Sequence, residues 1–105
     1  MITQKDVEKA LDFLRDSADE AAINRANRIY MEEFRKSLKA QLMSDNMDMA
    51  VNAQEREAYR NVEYITHLQA MKEAIFADEK LRFLIDAAKA KISAWQTMAK
   101  VGADL

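Results

Sequence analysis

The stretch Val62–Ala99, VEYITHLQAMKEAIFADEKLRFLIDAAKAKISAWQTMA, decides the fold of this 105-residue chain. It contains no proline or glycine, and its apolar residues recur every three or four positions, as they do along one face of an α-helix. The pattern predicts one long helix over residues 62–99. The only glycine, Gly102, follows the basic Lys100, and this pair predicts the end of the helix and a frayed tail over 100–105.

The N-terminal half carries the same period. Thr3 and Asp6 form a capping-box pattern, and apolar residues then continue at helical spacing to Leu42. A continuous helix over about residues 4–43 is favoured. The weak point is the acidic stretch Asp16–Glu20, where a second capping pattern leaves a kink or a restart open.

The two long segments are joined by residues 44–61. The polar run Ser44–Asp48 breaks the helical period with residues that prefer caps and turns. Ala53–Ala58 predicts a short helical piece, with Asn52 as its possible cap. Asn61 predicts the restart of the long second helix. The connector therefore reads as a reversal containing a short helix.

Composition sets the fold class. A chain of this length ordinarily has about seven glycines and about five prolines, whereas this one has one glycine, no proline and no cysteine. Strand hairpins, βαβ nucleotide folds and glycine-rich phosphate loops are therefore excluded. We expect a single all-α domain over residues 1–105: a long, coiled-coil-like antiparallel helical hairpin with a short helical connector.

A hairpin of two helices buries only a narrow seam, but the apolar stripes of this chain are wide. Apolar surface of that size predicts a partner, and the simplest one is a second copy that completes a four-helix bundle. A connector that folds back as a third helix, giving a monomeric bundle, is the alternative. The candidate residues for the homodimer interface are Phe34, Leu38, Phe83, Ile92 and Trp95.

Residues with catalytic chemistry are few. His67 is the only histidine, and Glu63 lies four positions before it, a spacing typical of a surface pair rather than of a di-iron site. No serine has a histidine or a glycine-rich loop near it in sequence. We therefore predict that the protein is not an enzyme and has no metal, cofactor or small-molecule substrate.

The net charge is −2, but a basic stretch lies in the first long helix. Residues 24–40 carry five basic side chains against Glu32 and Glu33, a local net charge of +3. The stretch is typical either of a solvated helix face or of a shallow electrostatic footprint for DNA or an acidic partner. Its basic residues, the nucleic-acid candidates, are Arg25, Arg28, Arg35, Lys36 and Lys39.

Three methionines, Met43, Met47 and Met49, cluster at the connector. Methionine adapts to irregular apolar surfaces, so these side chains either bind a protein partner or fill the end of the hairpin. No apolar run approaches the ~20 residues that span a bilayer, and the N-terminus lacks the pattern of a signal peptide. We expect no membrane contact and a cytoplasmic protein.

Five segments spread over nearly the whole chain form a recognisable series: Leu11–Leu14, the acidic turn Asp16–Glu20, the basic pair Arg35–Lys36, Ala53–Glu57, and Ala88–Trp95. In these segments the chain resembles a family of small helical proteins encoded by tailed bacteriophages and prophages. Genes of this family tend to lie in the early region, near recombination and single-strand annealing genes. The resemblance implies a role in DNA metabolism in the cytoplasm of the bacterial host.

Together these features predict a non-enzymatic accessory protein that acts by protein–protein contact on a recombination, nuclease or host-defence complex. Direct DNA binding through residues 25–39 is one alternative. A small assembly or scaffold component of the virion is another.

Overall fold

A computed structural model describes residues 1–104, which form four α-helices and no strand. The helices are α1 (Gln4–Asp16), α2 (Ala18–Ser44), α3 (Val51–Arg60) and α4 (Val62–Asp104). The all-α prediction is thereby confirmed for the described residues. None of these helices is both long and apolar enough to cross a membrane, over the same residues.

Helix α1 begins with the predicted capping box. The backbone N–H of Asp6 donates to the Thr3 hydroxyl at 3.2 Å, and the backbone N–H of Thr3 donates to the Asp6 carboxylate at 2.8 Å. Two amides that the helix itself cannot satisfy are thus paired. The same hydrogen bond from the Thr3 backbone lowers the pKa of Asp6 below its ordinary value.

The helix predicted over residues 4–43 is not continuous. The helix is interrupted at Ser17, within the acidic stretch Asp16–Glu20, where the sequence pattern allows a kink or a restart. The Ser17 N–H still donates to the Phe13 carbonyl at 2.9 Å, and the Ala21 N–H donates to the Ser17 carbonyl at 2.9 Å. Main-chain hydrogen bonds therefore pass through the break, which is local.

A turn over residues 45–50 connects α2 to α3. It is held by backbone bonds such as the one from the Asn46 N–H to the Met43 carbonyl at 3.1 Å. Asn52 does not cap α3, because the helix already begins at Val51. Its N-cap residue is Ala50, which makes no side-chain hydrogen bond. Instead, the Gln54 side-chain amide donates to the Met49 carbonyl at 2.8 Å and ties the turn to the first turn of α3.

The restart at Asn61 is confirmed. Its backbone is extended, and its side-chain oxygen accepts from the Glu63 N–H at 2.8 Å, so it caps α4. The other end of α4 differs from the prediction, because the helix passes through Gly102 and runs to Asp104. Gly102 does not have the positive φ of a helix-terminating glycine. Leu105, the end of the predicted tail, lies outside the described residues.

Residue contacts divide the chain into two compact units. One consists of Met1–Ile23 and Asp78–Leu105, and its buried residues are Val7, Ala10, Ser17, Leu81 and Ala88.

The other unit is Asn24–Ala77, which contains most of α2, all of α3 and the start of α4. Its core consists of Leu38 and Leu42 from α2, Ala58 from α3 and Tyr64 from α4. In this unit the Asn24 side-chain amide reaches the Ala77 carbonyl at 3.5 Å, while His67 reaches the Met31 carbonyl at 2.7 Å. From Asn24 to Met31 along α2, the partner residues on α4 run backwards from Ala77 to His67, so the two helices are antiparallel in this unit.

Candidate interaction surfaces

Part of the basic stretch of α2 is paired with neighbouring carboxylates. Three of its five basic side chains form ion pairs, namely Arg28 with Glu32 at 3.0 Å, Lys36 with Glu33 at 3.3 Å and Lys39 with Glu55 at 2.6 Å. Arg25 and Arg35 are exposed and make no ion pair with the side chains that the structure describes, residues 1–102. The structure therefore places the five candidates on one helix, three of them paired with a carboxylate.

Lys39 joins α2 to α3. Its ammonium bonds the Glu55 carboxylate and lies 4.7 Å from the centre of the Tyr59 ring. The hydrogen bond to Glu55, followed by that to Tyr59, raises the pKa of Lys39. The Tyr59 ring in turn meets the Tyr64 ring edge-on at 5.3 Å. Lys39 is thus used inside the fold, where it fixes α3 and orients an exposed tyrosine.

The three connector methionines have different environments. Met43 packs against the core of the second unit, and Met49 is half-buried beside Gln54, whose amide bonds its carbonyl. Met47 is 77% exposed. Filling the end of the hairpin fits Met43, whereas Met47 is the methionine available to a partner.

The five candidate residues for a dimer interface also differ in how far they are buried. Leu38 is buried in the core of its own chain, so its side chain is unavailable to a second copy. Phe34 packs against that core and is half-buried. Ile92 and Trp95 are half-buried as well. Phe83 alone is well exposed, at 64%.

A row of three rings crosses from α2 to α4. Tyr30 stacks on Phe34 with 5.9 Å between ring centres, and Phe34 meets the His67 ring at 5.5 Å. His67 Nε2 lies 2.7 Å from the Met31 carbonyl. Because a carbonyl oxygen only accepts, Nε2 carries the hydrogen and donates. The single histidine therefore bridges two helices; its partner is Met31, not the surface neighbour Glu63.

An apolar face of α4 lies away from the core of the second unit. Its residues Ile65, Leu68 and Phe76 are exposed, and Phe76 is 67% exposed. Beside them is a shallow groove of about 390 Å³ lined by Gln69, Lys72, Glu73 and Phe76. None of these residues was among the sequence candidates. The sequence did contain a signal for this face. Ile65, Lys72 and Phe76 follow one another at spacings of seven and four residues, so they share a face of α4 that differs from the face of the core residue Tyr64.

The unit that contains α1 has a smaller groove of about 270 Å³. Its lining is apolar except for two lysines, and comprises Lys9, Ala10, Phe13, Leu84, Ala87, Ala88 and Lys91. Within residues 1–104, no group of three side chains of the metal-binding types is placed to hold an ion.

No family model, curated protein or solved structure matches this chain.

Proposed function

We propose that this is a non-enzymatic accessory protein that acts by protein–protein contact. It associates into a homodimer and modulates a DNA recombination, nuclease or host-defence complex in the cytoplasm of a bacterial host. The mode of action is argued from the exposed apolar surface. The DNA-metabolism setting is argued from the resemblance to the phage and prophage family.

The observation that carries the proposal is an excess of exposed surface. The chain exposes 7909 Å², whereas a folded monomeric protein of 12.1 kDa exposes about 6,000 Å². Much of this surface is apolar: Phe76 is 67% exposed, Phe83 is 64% exposed and Ile65 is 44% exposed. Exposed apolar surface of this extent is typical of proteins that bury it against a partner.

The core of the described chain leads to the same conclusion. Only eight apolar residues are buried, three of them alanines, and no large side chain is fully buried. Each buried large side chain contributes about 1.5–3 kcal/mol of transfer free energy. A core this small leaves a 105-residue chain short of apolar burial, which association supplies.

The residues with catalytic potential support binding over chemistry. Nucleophilic or acid–base catalysis needs side chains that converge on a substrate. The single histidine donates to the Met31 carbonyl, and its ring packs on Phe34. It is used as a link between helices.

The test is capture of a partner on immobilised protein. The bait is the wild-type chain, beside Met47→Asp, which changes the one well-exposed connector methionine. Val101→Asp, at an apolar residue that is 56% exposed far from the connector in sequence, is the matched control. We expect wild type and Val101→Asp to retain a recombination, nuclease or defence protein from host lysate, and Met47→Asp to retain at least tenfold less. If no bait retains a protein of these classes, the proposed function is wrong.

A further inference from the structure

One exposed face of α4 in the second unit carries both apolar and charged side chains. It is defined here as Ile65, Leu68, Gln69, Lys72, Glu73 and Phe76, and is called the α4 face. All six residues are exposed, and the last four line the groove of about 390 Å³. It combines a large aromatic side chain, a concave surface beside it, and one charge of each sign.

We propose that a second copy of this chain occupies the α4 face, related to the first by a two-fold axis. This inference rests on the dimer of the proposed function and specifies its interface. In a two-fold interface the same surface meets itself, so each Phe76 enters the groove of the other copy. An exposed aromatic ring that enters a pocket is the usual centre of binding energy at an interface.

The amount of exposed surface matches a second copy. The chain exposes roughly 1,900 Å² more than the about 6,000 Å² of a typical monomer of its mass. A standard interface buries about 800 Å² per partner, and obligate homodimers bury about 1,000–2,500 Å² per subunit. The exposed surface of the whole chain is therefore large enough to include an interface with a second copy, of which the α4 face would be one part.

The charges match as well. Lys72 and Glu73 both line the groove, and neither makes an ion pair with the side chains described, those of residues 1–102. A surface with one cation and one anion is complementary to itself under two-fold symmetry, because Lys72 of one copy meets Glu73 of the other twice. A partner with a charge of one sign would satisfy only half of this arrangement.

The first experiment measures the dissociation constant of the dimer by sedimentation equilibrium for wild type, Phe76→Asp and Tyr30→Asp. Tyr30 is a matched control because it is an aromatic residue of the same unit with the same 67% exposure, on α2. We expect Phe76→Asp to raise the dissociation constant about hundredfold, since each dimer loses two central aromatic side chains. Tyr30→Asp should leave it within about threefold. Circular dichroism, recorded at a protein concentration at which each variant is dimeric, should show unchanged helix content in both.

The second experiment uses the charges. Lys72→Glu places two carboxylates opposite each other, and we expect the dissociation constant to rise about tenfold. Lys72→Glu combined with Glu73→Lys restores opposite signs across the two-fold axis, and dimerisation should return to within about threefold of wild type. Loss of structure would not be repaired by this exchange.

The outcomes separate the two proposals. A wild-type dimer that Phe76→Asp does not weaken, or a double charge variant no better than Lys72→Glu, overturns the α4 face and leaves the dimer. A wild-type protein that stays monomeric overturns both the α4 face and the dimer. Whether a partner protein binds at Met47 is decided separately, by the capture experiment with Met47→Asp.

Discussion

At the scale of single residues, Asp6 makes the stability of α1 depend on pH. Hydrogen bonding to the Thr3 backbone, then to the Thr3 side chain, lowers the pKa of Asp6 below its ordinary 3.8. A carboxylate whose pKa is lowered by folding stabilises the fold above its unfolded pKa. This contribution is lost as the pH falls through the folded value.

We therefore expect Asp6→Asn to lower the midpoint of thermal unfolding by a few degrees at neutral pH. The difference from wild type should shrink when both proteins are unfolded well below pH 3.8. Glu8→Gln, which removes an exposed carboxylate from the same helix, is the control and should leave the midpoint unchanged. A difference that stays constant over the whole pH range would contradict the role of the carboxylate.

The contact of Lys39 with Glu55 and Tyr59 is a second prediction at this scale. Replacement by methionine keeps the aliphatic stem but removes the charge, so Lys39→Met loses the ion pair at 2.6 Å and the contact with the Tyr59 ring. We expect Lys39→Met and Glu55→Gln each to lower the unfolding midpoint by a few degrees. The double variant should lose less than the sum of the two. Strictly additive losses would show that the pair is uncoupled.

At the scale of helices, the sequence predicted the starts that depend on neighbouring residues. Thr3 with Asp6, and Asn61 with Glu63, form caps within three residues of chain, so the pattern contains the whole interaction. The break at Ser17 was only an open alternative, because its site is buried against other parts of the fold. Tertiary packing, which a local pattern does not describe, decides such positions.

Gly102 shows how a local signal fails in the opposite way. Glycine costs about 1 kcal/mol relative to alanine inside a helix, but it ends a helix only where the backbone turns to positive φ. The residues before it form good helix, no atom packs within 4 Å of the site, and the backbone continues as helix to Asp104. The free-energy cost of one glycine inside the helix did not outweigh the helix propensity of the residues before it.

Helix α3 packs on its neighbours through Ala58, and this contact gives a prediction at the scale of elements. Ala58 is 1% exposed and packs with Leu38, Leu42 and Tyr64. Ala58→Leu adds volume where there is no space, and we expect it to lower the free energy of unfolding by about 1–3 kcal/mol. Urea unfolding followed by circular dichroism measures the change. Ala40→Leu, at an exposed alanine of α2, should stay within about 0.5 kcal/mol of wild type.

At the scale of the whole molecule, the sequence predicted that apolar surface would remain exposed. It did not predict correctly which apolar residues form that surface. Leu38 and Phe34, the two interface candidates on α2, contact the core of their own chain. Phe76 lies on the face of α4 that points away from the core of the second unit, and it stays exposed. A helical stripe shows that residues share a face, and only the packing of the other helices shows which face is covered.

The ion pairs of α2 predict weak contact with DNA. Three of the five basic side chains already have a carboxylate partner, which leaves Arg25 and Arg35 as the unpaired ones among residues 1–104. Phosphate binding scales with the number of cations that displace counterions. We expect no retention of duplex DNA in a gel shift at low salt. Retention that weakens steeply with salt, and that is abolished by Arg25→Gln with Arg35→Gln, would favour direct DNA binding instead.

The small core and the exposed apolar surface together predict that folding is coupled to association. If a second copy supplies the burial that the chain lacks, the folded dimer gains stability by mass action as protein concentration rises. A hundredfold increase in concentration is worth about 2.7 kcal/mol when a partner binds only the folded state, and this corresponds to several degrees in the unfolding midpoint. Thermal unfolding over such a range should show this rise for wild type and for Tyr30→Asp. Phe76→Asp should unfold at a lower temperature with much weaker dependence on concentration, because its protomers separate before they unfold. A wild-type midpoint that does not move with concentration would mean that the eight buried apolar residues suffice for one chain alone.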